Sequence, residues 1–268
     1  MSQNAVLLLN KYHRTLQHIT WYFKSDSNED IYSIQFPQLK KLCLIDSGWW
    51  ILRNAPMLEE LDITSKTIST NPAIFNTTPT NLRKLRILLS NGRYLSRNIA
   101  VARYIYSFSQ QSQLQHIDIS IDSHDNTQDV LDAICHLHQL RRLSINLLED
   151  RHSYAREPMV WNSHAMEQFL DTLSQSSSQL SCLEIRYKNA PSSYSINALK
   201  RLEYLKQFAF SIDGIDDDYS FWNAIQTMPQ LETISIYPTS AVKKDDINFL
   251  IHHRPSMKII ISGYFTPF

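Results

Sequence analysis

A six-residue pattern of the form L-x-x-L-x-L recurs along almost the whole chain of 268 residues, with apolar residues at its first, fourth and sixth positions. Nine copies begin at Leu16, Leu39, Leu58, Leu82, Leu114, Leu140, Leu180, Leu205 and Leu231, and a weaker tenth copy begins at Met257. The last three intervals between copies are 25, 26 and 26 residues. Repetition at such an interval is typical of a chain built from stacked copies of one supersecondary unit.

Each copy of the pattern predicts one β-strand. Side chains of a strand alternate between two faces, so the fourth and sixth positions enter one core while the third and fifth positions face solvent. Between the copies, residues 101–108, 130–137 and 166–173 carry apolar side chains at helical spacing, and Asn126 is a suitable N-cap for the second of these helices. Shorter helices are expected at residues 49–54, 219–226 and 245–253.

One strand and one helix, repeated at about 20–29 residues, are typical of leucine-rich repeats. The sequence therefore predicts an α/β leucine-rich-repeat solenoid of about ten repeats, a curved horseshoe with a parallel β-sheet on the concave face and helices on the convex face. We expect a single solenoid domain over residues 1–268. Residues 1–15 form an N-terminal helix or cap, residues 16–262 the repeats, and residues 263–268 a C-terminal tail.

The concave face is the default binding surface of a solenoid. Charges on the predicted outward positions alternate in sign from strand to strand, so they can form ladders that neutralise one another. The alternative interpretation is a polar platform that binds another protein. The candidate contact residues on this face are Lys41, Glu60, Asp62, Lys84, Arg86, Asp118, Arg142, Glu184 and Arg186.

Two intervals between copies are longer than the others, 32 residues after Leu82 and 40 residues after Leu140. Insertions in repeat proteins are loops on one face, which is often the binding face. The larger insertion combines arginine with aromatic residues, types that are enriched at interface hot spots. Its candidate contact residues are Arg151, Tyr154, Arg156 and Trp161. The equally weighted alternative is that Met159, Val160 and Trp161 fold back over the core.

Residues 56–61 and 229–234 carry the motif in the form Pro-x-Leu-Glu-x-Leu/Ile. With intervals near 26 residues and a helical convex side, the chain resembles the leucine-rich-repeat arm of fungal F-box proteins, within the ribonuclease-inhibitor-like superfamily, over residues 5–262. In that family an N-terminal F-box docks onto the adaptor of a cullin-RING ubiquitin ligase while the repeats hold the substrate. The resemblance implies substrate recognition for ubiquitin-dependent degradation. We expect no F-box in this sequence, because residues 1–15 look like the helix of a first repeat.

Composition excludes several classes of function. Lys+Arg and Asp+Glu are both 26, so the charge gives no reason to expect a nucleic-acid or anionic-membrane partner. The four glycines lie too far apart for a phosphate-binding loop, so we expect no nucleotide cofactor. Three scattered cysteines fit a reducing compartment, and no apolar run is long enough to span a membrane. We therefore expect a monomer in the cytoplasm, with the nucleus as an alternative.

The sequence favours a protein that is not an enzyme, binds no metal or cofactor and has a protein partner. One catalytic alternative stays open, a small-molecule hydrolase or transferase, because Cys43 and His18 lie on adjacent strands of the predicted concave face. Cys135 with His138, and the histidines at 252–253, are better explained as helix-terminal residues than as metal ligands. A third alternative is a remnant of an F-box protein that no longer has a partner.

Overall fold

Ten parallel strands form one sheet in the computed structural model of the chain. The structure describes residues 3–22, 29–89, 97–110, 113–122, 127–148, 163–177, 179–186, 193–212, 219–238 and 244–262. The strands follow one another across the sheet in chain order, each paired with the next. Their bounds are β1 His18–Trp21, β2 Lys41–Leu44, β3 Glu60–Thr64, β4 Lys84–Leu88, β5 His116–Asp122, β6 Arg142–Leu148, β7 Cys182–Arg186, β8 Gln207–Ile212, β9 Thr233–Pro238 and β10 Lys258–Ile261.

Helices connect the strands and pack against one another on one side of the sheet. In the described ranges the α-helices are α1 Gln3–Tyr12, α2 Ser65–Thr70, α3 Arg97–Tyr106, α4 Thr127–Cys135, α5 Ser163–Ser176, α6 Ser193–Leu199, α7 Tyr219–Gln226 and α8 Lys244–His253. Three short 3₁₀ helices span Glu29–Ser33, Trp49–Asn54 and Pro72–Asn76. The fold is thus the predicted α/β leucine-rich-repeat solenoid, and the predicted helices are confirmed. Asn126 lies outside the described residues.

The apolar positions of the motif build the core between sheet and helices. Leu42 and Leu61 lie opposite each other at the fourth position of β2 and β3, and both are fully buried. The same register continues through Leu85 on β4. First-position leucines such as Leu39 and Leu58 are also fully buried. Burial of one leucine side chain stabilises a fold by about 1.5–3 kcal/mol, so the stacked rows dominate the stability.

The tenth repeat departs from the sequence expectation. Lys258 lies opposite Thr233, the third position of the ninth repeat, so Lys258 itself occupies the third position. A copy that begins at Met257 has Ile260 and Ser262 at its fourth and sixth positions, and this prediction from the sequence is wrong by one residue. The physical reason is a missing residue. Met257 ends its turn as the first-position leucines do, but the strand begins immediately after it, one residue earlier than in other repeats.

A glycine turn after β2 packs against the tryptophan at the end of β1. Gly48 has φ 91°, in the left-handed region that favours glycine. A Cβ at this position would lie 2.6 Å from Cδ1 of Trp21, closer than carbon atoms approach. The indole of Trp21 also donates a hydrogen bond to Oγ of Ser47 at 3.3 Å. Any side chain at position 48 would therefore displace Trp21 from the core of the first repeats.

Candidate functional site

Two rows of side chains run across the face of the sheet that points away from the helices. The third-position row is formed by the first residue of each strand, and its members lie in register from strand to strand: His18, Lys41, Glu60, Lys84, His116, Arg142, Cys182, Gln207, Thr233 and Lys258. The fifth-position row lies two residues further along: Thr20, Cys43, Asp62, Arg86, Asp118, Ser144, Glu184, Ala209, Ser235 and Ile260.

Most charges in the first half of these rows are neutralised by the next strand. The Nζ atoms of Lys41 and Lys84 lie 3.4 Å and 3.8 Å from Oε2 of Glu60, which stands between them. In the fifth-position row, Nε of Arg86 lies 3.4 Å from Oδ2 of Asp118. The predicted alternation of charge is confirmed for these strands. Each pair is half-exposed and contributes about 0–1 kcal/mol, so the ladder organises the surface more than it stabilises the fold.

Glu184 and Arg186 on β7 differ from the other candidate contact residues. Glu184 was expected to face solvent at the fifth position, but only 8% of the residue is exposed, so this expectation is wrong. Its Oε1 accepts hydrogen bonds from Nε of Arg186 at 2.6 Å and from Nη2 at 2.5 Å. The guanidinium also lies over the ring of Tyr237 on β9, 4.8 Å from the centroid. The physical reason is that Arg186 folds back over the carboxylate and covers it.

Electrostatics support this arrangement. Burial alone would lower the pKa of Arg186, but the neighbouring Glu184 carboxylate, with help from Tyr237, raises it above its ordinary value. The small side chain of Ser211 lies in register with Tyr237 on the intervening strand β8, so the arginine can reach across to the ring. Glu184 and Arg186 therefore satisfy each other.

Asp62 and Arg142 remain after these pairs are counted. Within the described ranges, neither side chain has an ion-pair partner. Asp62 lies in register with Cys43 and Arg86. Arg142 is exposed and lies between His116 and a cysteine of β7. Of the nine concave residues predicted from the sequence, these two carry charges that are free to meet a partner.

Two further cations, one next to Arg142 and one two strands away, were missed from the sequence. Arg83 and Arg141 occupy the second motif position, just before β4 and β6, and both are exposed. Other charges at this position are paired, with Lys40 lying 3.7 Å from Glu59 and Lys206 lying 2.8 Å from Glu232. Among described residues Arg83 and Arg141 lack such partners. Two adjacent cations at the start of a strand, at 83–84 and 141–142, were the available signal.

His116 lies within this group of cations. Burial lowers the pKa of its imidazole, and the charges of Arg142, Lys84 and Arg141 lower it further, whereas Glu60 acts in the opposite direction. The side chain is therefore neutral at pH 7. We name Arg83, His116, Arg141 and Arg142 the basic edge, because they border the sheet where β4, β5 and β6 begin.

The candidate contact residues of the larger insertion, Arg151, Tyr154, Arg156 and Trp161, lie outside the described residues. Most of the smaller insertion, at residues 90–96, lies outside them as well. Their contribution to binding stays a prediction.

The surroundings of Cys43 and Cys135 raise the pKa values of their thiols. Cys43 lies in register with Thr20, and His18 lies opposite Lys41, so the proposed pair is diagonal. Burial and then Asp62 raise the pKa of Cys43, the opposite of the shift that activation requires. Burial likewise raises the pKa of Cys135 to about 12.

Three further observations concern His138, groups of metal ligands and membrane-spanning helices. Nδ1 of His138 lies 3.1 Å from the carbonyl oxygen of Ser176, in keeping with a structural role. No group of three or more potential metal ligands occurs among the described residues. Of the helices that the structure describes, none has the length and apolar character needed to cross a bilayer.

Comparisons with known proteins add little to this description. No family model matches the chain, and no curated protein matches it. Among solved structures, the chain is similar to one from the crystal structure of the Rad7 and Elc1 complex in yeast, with 13% identity and a TM-score of 0.40. The similarity covers 96% of this chain and 86% of that chain. At this identity and TM-score, nothing about that complex is transferred to the present chain.

Proposed function

We propose that this chain is a non-enzymatic leucine-rich-repeat module that binds another protein on the concave face of its sheet. The observation that carries the proposal is the unequal use of charge on that face. Lys41 and Lys84 both lie against Glu60, whereas among the described residues Asp62 and Arg142 have no ion-pair partner. Asp62 and Arg142 lie three strands apart, roughly 14 Å, which suits two charged side chains of one bound polypeptide segment.

The partner that we propose is a protein held for degradation, in the setting of an F-box-type ubiquitin ligase. This part rests on the motif resemblance over residues 5–262. In this proposal the chain is one solenoid domain and acts as a monomer in the cytoplasm or nucleus. The larger insertion supplies a second contact through Arg151, Tyr154, Arg156 and Trp161.

The test is affinity capture of partners from an extract of cells that express the chain, with charge-swapped variants. The variant Asp62→Arg/Arg142→Glu keeps the net charge and reverses both unpaired charges. Its matched control is Glu203→Arg/Lys200→Glu, a swap of two exposed residues near the end of α6. We expect the wild type and the control to retain one specific protein, and the concave variant to lose it at least about tenfold.

Equal capture by both variants would refute binding on the concave face. Recovery of cullin-ligase subunits with the partner supports the degradation setting. Their reproducible absence, with the partner still captured, overturns the ligase part alone. A captured partner that the chain releases chemically altered, in a reaction abolished by Cys43→Ser, would overturn the non-enzymatic part.

A further inference from the structure

Three exposed arginines gather where β4 and β6 begin. Arg83, Arg141 and Arg142 are exposed and, among the described residues, have no ion-pair partner. They lie at or just before the starts of β4 and β6, the strands that flank His116 at the start of β5. Elsewhere on this side, cations such as Lys40 and Lys41 lie against carboxylates of the next repeat.

We infer that the basic edge, formed by Arg83, His116, Arg141 and Arg142, binds a short acidic segment of the partner protein. This inference rests on the proposed function and specifies the chemistry of its ligand. Guanidinium groups form bidentate hydrogen bonds with carboxylates, so arginine is the cation best suited to select such a segment.

The spacing of the arginines matches an extended peptide. β4 and β6 are two strand spacings apart, roughly 10 Å, since neighbouring strands lie about 4.8 Å apart. An extended chain rises about 3.3 Å per residue, so carboxylates three residues apart are also separated by roughly 10 Å. One acidic side chain can therefore meet Arg83 while another meets Arg141 and Arg142.

The surroundings favour a protein segment over a nucleic acid. Glu60 and Asp118 lie on the same face, immediately beside the basic edge, and Glu59 lies beside Arg83 at the second position. A continuous phosphate backbone longer than a few nucleotides would pass over these carboxylates and be repelled. A short acidic segment ends before it reaches them. The whole chain carries 26 basic and 26 acidic residues, so its net charge gives no general attraction for a nucleic acid.

His116 makes the binding sensitive to pH. It faces Lys84 from β4 and Arg142 from β6, with Arg141 and Glu60 nearby. Although Glu60 acts in the opposite direction, burial lowers the pKa of the imidazole and the charges of the three cations lower it further. A bound carboxylate offsets their charge and raises the pKa of the imidazole toward its ordinary value of 6.5. The complex then takes up a proton as the pH falls, and linkage requires tighter binding of the acidic segment in the same range.

The experiment measures fluorescence anisotropy of labelled octaglutamate with the full chain. We expect saturable binding that weakens as salt is raised. Arg141→Gln/Arg142→Gln should weaken it about tenfold, because two charge-assisted contacts are lost. The matched control is Arg103→Gln/Lys200→Gln, which removes the same charge from two exposed residues on α3 and just after α6, away from the basic edge, and should change binding less than about twofold. His116→Gln should abolish the tightening between about pH 8 and about pH 6, where glutamate itself does not titrate.

Three outcomes would overturn the inference. One is the absence of octaglutamate binding, and another is equal weakening by the two double variants, which would mean that net charge alone matters. The third is tighter binding of an oligothymidylate of equal charge, which would assign the edge to nucleic acid. If the partner is still lost from Asp62→Arg/Arg142→Glu while octaglutamate fails to bind, the acidic-segment inference falls and the proposed function stands. If octaglutamate binds but that variant captures the partner as well as the wild type does, the basic edge still binds acidic segments and the proposed binding of the partner on the concave face falls.

Discussion

Replacement of Arg186 by methionine tests whether β7 carries a structural ion pair or a binding contact. The substitution keeps a long apolar stem but leaves the carboxylate of Glu184, whose side chain is only 10% exposed, without its guanidinium. Removal of one partner from a buried pair costs about 3–5 kcal/mol. Because the Arg186 side chain is 32% exposed, water can replace part of its contribution, and we expect a loss of about 2–3 kcal/mol in the free energy of unfolding.

The measurement is urea unfolding at pH 7, followed by circular dichroism, with comparison of midpoints and slopes. Arg142→Met is the matched control, since Arg142 stands on the neighbouring strand, exposed and outside any ion pair of the described residues, and should change stability by less than about 0.5 kcal/mol. The double variant Glu184→Gln/Arg186→Met should recover part of the loss, because no charge is then left buried. Equal midpoints for Arg186→Met and Arg142→Met would refute the assignment of Arg186 to the fold.

Three other predictions concern the core, the histidine and the thiol. Leu183→Ala, at a fully buried position, should lower the free energy of unfolding by about 2–5 kcal/mol. Leu7→Ala, at a residue 62% exposed, should change it by less than about 0.5 kcal/mol. Similar losses for the two variants in urea unfolding would contradict the strand register. The pKa of His116 is below 6.5 in the fold, so the unfolded chain takes up a proton at a higher pH than the folded chain does. The free energy of unfolding should therefore fall as the pH drops through 6.5, and it should fall less in His116→Gln. Urea midpoints measured across that pH range check this. Iodoacetamide should label Cys43 more slowly than a free thiol at neutral pH, since its pKa is raised; faster labelling, read by mass spectrometry, would revive the catalytic alternative.

The architecture could be predicted from the sequence because the motif determines which side chains of each strand are buried. Alternation within each strand requires the fourth and sixth residues to be buried together, and Leu143 with Ile145 on β6 show this outcome. In the tenth repeat, a single missing residue after Met257 moved the strand without removing its apolar character. Three consecutive isoleucines follow there, so either register satisfied the pattern.

The candidate site was predictable only in part. Alternation of sign could be read from the motif positions, and the pairs around Glu60 followed from it. Burial of Glu184 could not be read, because it depends on a side chain two residues later that folds back over it. Arg141 was overlooked because the second position precedes the strand, so the alternation rule says nothing about where its side chain points.

The ion pairs that join neighbouring repeats also constrain which repeats can be neighbours. If a folding chain skipped β3, Lys41 would stand beside Lys84, and if it skipped β4, Asp62 would stand beside Asp118. Like charges placed directly opposite each other destabilise a sheet, and misassembly is a characteristic failure of repeat proteins. The ion pairs between neighbouring strands therefore disfavour assemblies in which a repeat is skipped, because such assemblies place like charges opposite each other.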